Sequence, residues 1–332
     1  MLTTILALLL FTPPRTTLDI YFVDVEGGAA TLIVTPAGES LLIDSGWPRP
    51  DARDPKRIQA AMKDAGVTRI DHLLITHYHR DHWGGVAELA KLVPVSHWYN
   101  HGPADALADD PSNFPALNAA YDAATGGKAQ TLKFGDTIPL KGVPVSVLSS
   151  NRETAYAIGN PNPACRDAKL IAPDPTDNAH SVGVLLTFGK FRFLDLGDLT
   201  WNVEQKLVCP VDGIGPVNLY QVTHHGAAIS NNSALLATVH PQAAIENNGP
   251  AKGGEADTYK RLRAVPNMEI FQLHRNLSTT DADNTAPEKT ANLGKEEGCA
   301  GNLMKVSVAQ GGTSFKVFNA RTGQSWDFQT RP

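Results

Sequence analysis

Thr76-His77-Tyr78-His79-Arg80-Asp81-His82-Trp83-Gly84-Gly85 is the stretch on which the reading of this chain turns. Three histidines and one aspartate fall within residues 77–82, directly after the apolar run DHLLI, which reads as a buried strand. A turn leaving the C-terminal end of such a strand can aim several side chains at one point. His77 and His79 can face one metal ion, while Asp81 and His82, on the next part of the turn, reach a second. Imidazoles and carboxylates are the donors of N/O metal sites. A solvated histidine-rich loop is the plain alternative, but chance places this four-residue pattern in well under ~1 in 1,000 chains of such length, which argues against it.

Working outward, the runs LDIYFVDV from Leu18, ATLIVTP and SLLIDSG are short, β-branched and aromatic, and are punctuated by Glu26-Gly27-Gly28 and Pro36-Ala37-Gly38. They read as an opening β-meander. Residues 55–66 carry helical spacing at Ile58 and Met62 and stop at Gly66, and GGVAELAKLV after the histidine turn is helical again. Beyond Gln130, TLKF, VPVSVLSS and SVGVLLTFGKFRFLDLGD read as strands, the last folded into a hairpin at Phe188-Gly189-Lys190-Phe191. PVNLYQVTHHG, AAIENNG and MEIFQLHR follow as strands separated by the helical runs SALLATVHP and DTYKRLRAV, and LMKVSVAQGGTSFKVFN closes as a hairpin. Helices interleave with strands in both halves and no low-complexity linker intervenes. This predicts one α/β domain of two stacked sheets over residues 18–332, not two separable domains.

Composition sets the outer limits. With 332 residues, 42% hydrophobic and 19% charged, the chain can bury a large core, which excludes a disordered or multi-pass membrane protein. Lys and Arg number 29 against 34 Asp and Glu, a net charge of −5, and no four basic residues run together, so nucleic acid is not the favoured partner. The three cysteines, Cys165, Cys209 and Cys299, are too few for a disulfide scaffold or a cysteine zinc site. The apolar run from Leu2 to Phe11, stopped by Pro13-Pro14, has the length of a signal-peptide core and is too short to span a bilayer. No Lys or Arg precedes it and no A-x-A site follows. Residues 1–17 are read as an export signal to the periplasm or medium, against a buried strand or misplaced start in a cytoplasmic protein. In an oxidising compartment a Cys165–Cys299 bridge is expected, with Cys209 free.

The H-x-H-x-D-H turn resembles that of the metallo-β-lactamase superfamily of hydrolases, and further motifs match in order from Leu18 to about His274. Leu42-Ile43-Asp44-Ser45-Gly46 matches the early aspartate, which the resemblance makes an orienting group behind the metal ligands. His180 in DNAHSVGVLL best matches the third metal position, with Asn178 competing. Asp198 in FLDLGDLT matches the bridging carboxylate, and His224-His225 in QVTHHGA the last histidine. Within the superfamily the chain looks most like the group related to the extracytoplasmic hydrolase domain of the competence protein ComEC. It departs from that group at Asp24-Val25-Glu26-Gly27-Gly28-Ala29-Ala30, which lacks the usual Gln and second Asp.

The resemblance implies a four-layer αββα sandwich holding two zinc ions, with manganese or iron as alternatives, on His77, His79, Asp81, His82, His180, Asp198 and His224. It implies hydrolysis by a metal-bound hydroxide, for which Asp81 and His225 are the catalytic candidates. Strand register after VNLYQV favours His224 over His225 as the ligand. ComEC-like motifs point to a phosphoester, in a small molecule or supplied externally. A lactonase or β-lactamase acting on a small cyclic ester or amide is the second reading, with an apolar pocket as its mark, and a metal-free binding module the third. His274, Lys252 and Asn248 lie at strand ends where substrate groups are placed. His72 reads as core, and His97, His101 and His240 as structural or exposed. The stretch from His97 to Phe114 reads as either a lid or a surface excursion.

Overall fold

Alternation along the first strand sets the layering. In β1 (Leu18–Phe22), Leu18, Ile20 and Phe22 face one apolar core and Tyr21 faces another, so both surfaces of the strand are covered. The computed structural model describes residues 15–154 and 158–331, so residues 1–14 of the expected export signal lie outside the described residues.

The first sheet contains β1, β2 (Thr31–Val34), β3 (Ser40–Ile43), β4 (Ile70–Leu74), β5 (Val95–Asn100) and β6 (Gln130–Thr131). The second contains β7 (Thr137–Ile138), β8 (Val145–Ser150), β9 (Glu153–Thr154), β10 (Gly183–Phe188), β11 (Phe191–Asp195), β12 (Leu219–Gln221), β13 (Ala243–Glu246), β14 (Glu269–His274) and β15 (Thr290–Asn292), in the order β15-β14-β13-β12-β11-β10-β8-β7 with β9 on β8. The C-terminal strands β16 (Met304–Val308), β17 (Ser314–Asn319) and β18 (Ser325–Gln329) return to the first sheet, whose order is β18-β17-β16-β1-β2-β3-β4-β5-β6.

The inward faces meet in one core, where Phe22 of the first sheet packs edge-on against Phe193 of the second at 5.8 Å. On the outer face of the first sheet lie α1 (Arg53–Asp64), α2 (Arg80–Trp83), α3 (Val86–Leu92) and α4 (Phe114–Thr125), burying Ile58, Met62, Leu89 and Tyr121. On the outer face of the second lie α5 (Trp201–Val208), α6 (Ser233–Val239) and α7 (Ala256–Arg263), burying Leu207, Leu235 and Leu262. The architecture is the αββα sandwich. Strands β3, β4 and β5 pair in parallel, as do β11 to β15, so their C-terminal ends gather along one edge. Such edges are where α/β folds place ligands.

Several elements escape the sequence reading, among them β5, of which residues 97–100 lie in the stretch read as a lid or surface excursion. Helix α4 begins at Phe114, at the end of that stretch, and α5 begins three residues after Asp198. Strand β18 is an edge strand whose residues are all at least partly exposed, so it lacks a strong apolar signature. The expected disulfide is also corrected: Cys165 pairs with Cys209, Cα atoms 5.7 Å apart, and Cys299 is free. Cys209 lies at the C-terminal end of α5 against the short turn Pro163–Cys165, a proximity that sequence spacing does not reveal.

Candidate metal centre

Four loops at the C-terminal strand edge bring the chemistry together. The H-x-H-x-D-H turn leaves β4, Asp44 ends β3, Asp198 follows β11, and His224-His225 follow β12. Asp44, His224 and His225 all have left-handed backbones, φ 62, 57 and 53°. Such conformations persist in non-glycine residues only where their surroundings hold them. Gly28 packs so closely on the carbonyl of Asp81 that a Cβ there would collide with it, which explains a glycine in that turn.

The tightest group comprises Asp81, His82, Asp198 and His225, all buried. His82 Nε2 lies 3.3 Å from Asp81 Oδ2, 3.2 Å from Asp198 Oδ2 and 3.1 Å from His225 Nε2. His225 Nε2 lies 3.0 Å from Asp81 Oδ2 and 3.2 Å from Asp198 Oδ2. Four donors bound at about 2.0–2.1 Å to one tetrahedral ion stand roughly 3.3 Å apart, so these edges are those of a tetrahedral site.

Proton placement makes the same point. His82 Nδ1–H donates to Asp44 Oδ2 at 2.7 Å, and His225 Nδ1–H donates to the Asn247 carbonyl at 3.2 Å. Each neutral ring then turns an Nε2 lone pair toward the other and toward two carboxylate oxygens. Four acceptors cannot be buried face to face without a cation between them. Without a metal, protons must serve instead. Burial opposes charging His82 and His225, yet the neighbouring carboxylates, Asp198 foremost, push both imidazoles above their ordinary pKa. Burial likewise opposes ionising Asp81 and Asp198, but Lys252 with His82 and His225 holds Asp81, and His225, His82 and His224 hold Asp198, well below the usual carboxylate range.

A second, looser group shares Asp198 Oδ2. His77 Nε2 is 3.9 Å from it and His224 Nε2 3.6 Å. Thr76 Oγ1 donates to Asp44 Oδ2 at 2.8 Å and therefore accepts from His77 Nδ1 at 3.1 Å; Ser230 Oγ donates to the Leu199 carbonyl at 2.9 Å and accepts from His224 Nδ1 at 3.1 Å. Both rings thus present Nε2 lone pairs, and His77 Nε2 is buried with no hydrogen-bond partner. Asn178 Oδ1 is buried and unpartnered as well, with its Nδ2 3.4 Å from His224 Nε2. Burial drives the His224 pKa down to about 4, so it is neutral, as a ligand must be. The donor set fits two divalent ions sharing one carboxylate.

Several sequence expectations are corrected. His180 does not face this centre; its Nδ1 lies 3.5 Å from Asp177 Oδ1, beside His101, and Asn178 occupies the position expected of it. His224 keeps a ligand's place in the looser group, but His225, expected to act in catalysis, joins the tight one, because the left-handed turn at both residues departs from the strand register on which a single ligand was chosen. His79 turns its Nε2 to Asp109 Oδ2 at 2.6 Å and stays out of both groups. Asn248 spends its amide on the backbone of His274, accepting its N–H at 3.2 Å and donating to its carbonyl at 2.7 Å. His274 is fully buried and donates from Nε2 to Asp24 Oδ1 at 2.8 Å, so neither residue is open to a substrate. Lys252 does reach the centre, pairing with Asp81 and lying 4.8 Å over the Trp47 ring.

Thr76, Ser230 and Asp109 were missed by sequence reasoning; a lone hydroxyl or carboxylate in a loop carries no signal until the imidazole it holds is located. Asp109 and Asp110, the latter 3.0 Å from Arg80, tie the loop before α4 to the histidine turn.

Residues 23–164 match the model of the metallo-beta-lactamase superfamily. Recombination protein 2 of Haemophilus influenzae is 25% identical over 228 residues, covering 68% of this chain and 24% of its own length. An atrochrysone carboxyl ACP thioesterase of Aspergillus terreus is 40% identical over 67 residues, 20% of each chain. ComE operon protein 3 of Bacillus subtilis is 25% identical over 185 residues, 55% of this chain and 20% of that one. The chain thus spans about a quarter or less of the length of these relatives. Among solved structures, the metallo-beta-lactamase fold protein YhfI from Bacillus subtilis superposes with a TM-score of 0.47 at 12% identity, over 77% of this chain and 96% of that one. Residues 23–164 thus carry a resemblance to the metallo-beta-lactamase superfamily, and the sandwich fold and the histidine and aspartate cluster at the strand edge agree with it.

Proposed function

We propose that this chain hydrolyses a phosphoester with two zinc ions, one on Asp81, His82, Asp198 and His225 and the other on His77, His224, Asn178 and the shared Asp198. The observation that carries the metal assignment is the set of four converging acceptors, two carboxylates and two imidazoles whose Nδ1 protons are committed elsewhere. An N/O donor set with no thiolate suits zinc, with manganese or iron as the alternatives. Bound divalent ions lower the pKa of water toward about 7 and polarise the oxygen of the bond being cut. The protein's own part is to fix the imidazole tautomers through Asp44, Thr76 and Ser230, and to set a cation where phosphoryl charge would lie. Lys252, over Trp47 and against Asp81, supports the phosphoester reading, and so does the breadth of the match to ComEC-type relatives.

A second reading, hydrolysis of an ester, thioester or lactone, is favoured by the apolar lining of the neighbouring cavity and by the thioesterase among the relatives. The zinc- and manganese-loaded protein is to be assayed on bis(p-nitrophenyl) phosphate, a lactone panel and nitrocefin. The proposal expects phosphodiester turnover that falls at least tenfold in Lys252→Ala; turnover of lactone or nitrocefin alone overturns it. Two equivalents of metal in the purified protein, reduced in Asp198→Ala, are expected, and a metal-free protein would establish a binding module instead. Among the described residues no helix is long and apolar enough to cross a membrane. The Cys165–Cys209 disulfide supports a working site in an oxidising compartment, which the mass of the mature N-terminus tests.

A further inference from the structure

The segment from Asn162 to Asp174 is irregular, yet it is fastened to α5 at several points. Cys165 is bonded to Cys209, Trp201 Nε1 donates to the Lys169 carbonyl at 2.8 Å, and Asn202 both accepts from and donates to the backbone of Ile171, at 3.0 and 2.9 Å. Asn162 adds bonds to the Val208 carbonyl at 2.9 Å and Thr238 at 2.8 Å. So many fastenings on a stretch whose regular structure is one 3-10 turn, Pro163–Cys165, make it a fixed wall.

Between this wall and α5 lies a cavity of about 570 Å³, lined by the disulfide, Leu170, Pro173, Ala179 and Val203. A second cavity of about 200 Å³ shares Asp174, Thr200 and Asn202 with the first and reaches Ile171 and Ile229. Together they form one trough. Its lining lies close along the chain to the metal centre: Ala179 adjoins Asn178, Thr200 lies two residues from Asp198, and Ile229 lies four residues after His225. Large apolar side chains are held open to solvent along it, Leu170 66%, Ile171 41% and Ile229 43% exposed. The volume lies in the range of roughly 300–1,000 Å³ typical of small-molecule sites. At the outer rim stands Lys206, which pairs with no carboxylate among the described residues.

The geometry points to this trough as the seat of an alkyl chain carried by the substrate, with the scissile group at Asp198 and the chain running toward the disulfide. The inference rests on the hydrolase reading for the position of the scissile group, and it adds the class: an amphiphilic ester or phosphoester with a medium-length alkyl arm.

The test is a chain-length series, methyl, butyl and octyl p-nitrophenyl phosphate alongside p-nitrophenyl acetate, butyrate and octanoate, on the metal-loaded full chain. A buried methylene contributes about 0.8 kcal/mol, close to fourfold. With partial burial, kcat/KM is expected to rise about two- to fourfold per methylene in whichever series is cleaved. Leu170→Asp, at an exposed position that does not threaten folding, is expected to lower the octyl-to-methyl ratio about tenfold. A flat series, or a ratio unmoved by Leu170→Asp, overturns the inference while leaving hydrolysis intact. If neither series is cleaved, the hydrolytic reading fails on these bonds, and calorimetric titration with decyl phosphate against methyl phosphate decides the trough alone. Decyl phosphate binding at least tenfold tighter, and lost in Leu170→Asp, supports it; equal or absent binding of the two overturns it.

Discussion

Asp44→Asn isolates the tautomer argument, because the substitution changes one atom and no volume. Asp44 Oδ2 accepts from His82 Nδ1 at 2.7 Å and from Thr76 Oγ1 at 2.8 Å, while Oδ1 accepts the Thr76 backbone N–H at 2.8 Å. An asparagine can meet only half of this. With its carbonyl toward His82, its NH₂ faces the Thr76 N–H, and a buried donor left unpaired costs about 1–3 kcal/mol. With its NH₂ toward His82, the imidazole must accept at Nδ1 and carry its proton on Nε2, aimed at Asp81 and Asp198, where a metal would bind. Loss of such an orienting partner typically weakens metal binding 10–100-fold, about 1.4–2.8 kcal/mol. The second orientation keeps the Thr76 N–H paired and is the one expected, so a 10–100-fold loss of zinc affinity at the tighter site follows. Competition against a chromophoric chelator near neutral pH measures it, with circular dichroism to establish that the variant is folded. A folded Asp44→Asn protein that binds zinc as tightly as the parent would refute the reasoning, since Nε2 availability would then not depend on Asp44.

Asn178→Ala is expected to lower the metal bound at the looser site, and His180→Ala to leave stoichiometry unchanged; elemental analysis of the two purified variants distinguishes them. Burial disfavours the His274 cation, but its hydrogen bond to Asp24 outweighs this and raises the pKa to about 9. A raised histidine pKa stabilises fully below the unfolded value of 6.5 and is lost as pH climbs through about 9. Asp24→Asn should therefore cost about 3 kcal/mol at pH 6 and much less at pH 10, read by urea denaturation at each pH. Burial pushes the Glu246 carboxyl up from 4.5 to about 7, so the folded state holds a proton that the unfolded chain has released. Stability from this group falls as pH rises from about 4.5 to 7, and Glu246→Gln, which copies the protonated form, should flatten that fall by up to ~3 kcal/mol.

The sequence by itself determined the layers and the edge at which the chemistry lies. Period-two alternation in LDIYF and the apolar run DHLLI are local patterns that dictate buried strands whatever packs on them. The histidine turn was equally legible because its donors are neighbours in sequence. Tertiary structure decided everything that depends on where a side chain points after a loop bends. Asn178 and His180 are two residues apart in a 3-10 turn, which sends one to the metal centre and the other to Asp177 and His101. His224 and His225 both turn Nε2 toward Asp198, where one ligand was expected, because both take a left-handed backbone that strand register does not anticipate. Cys165 meets Cys209 across 44 residues of chain, and His274 meets Asp24 across 250, pairings that no spacing encodes. Residue type and order are enough to name the donors, since coordination chemistry is a property of the side chain. Which lone pair faces the ion is set by the hydrogen bond on the far side of each ring, and only the folded chain supplies that partner.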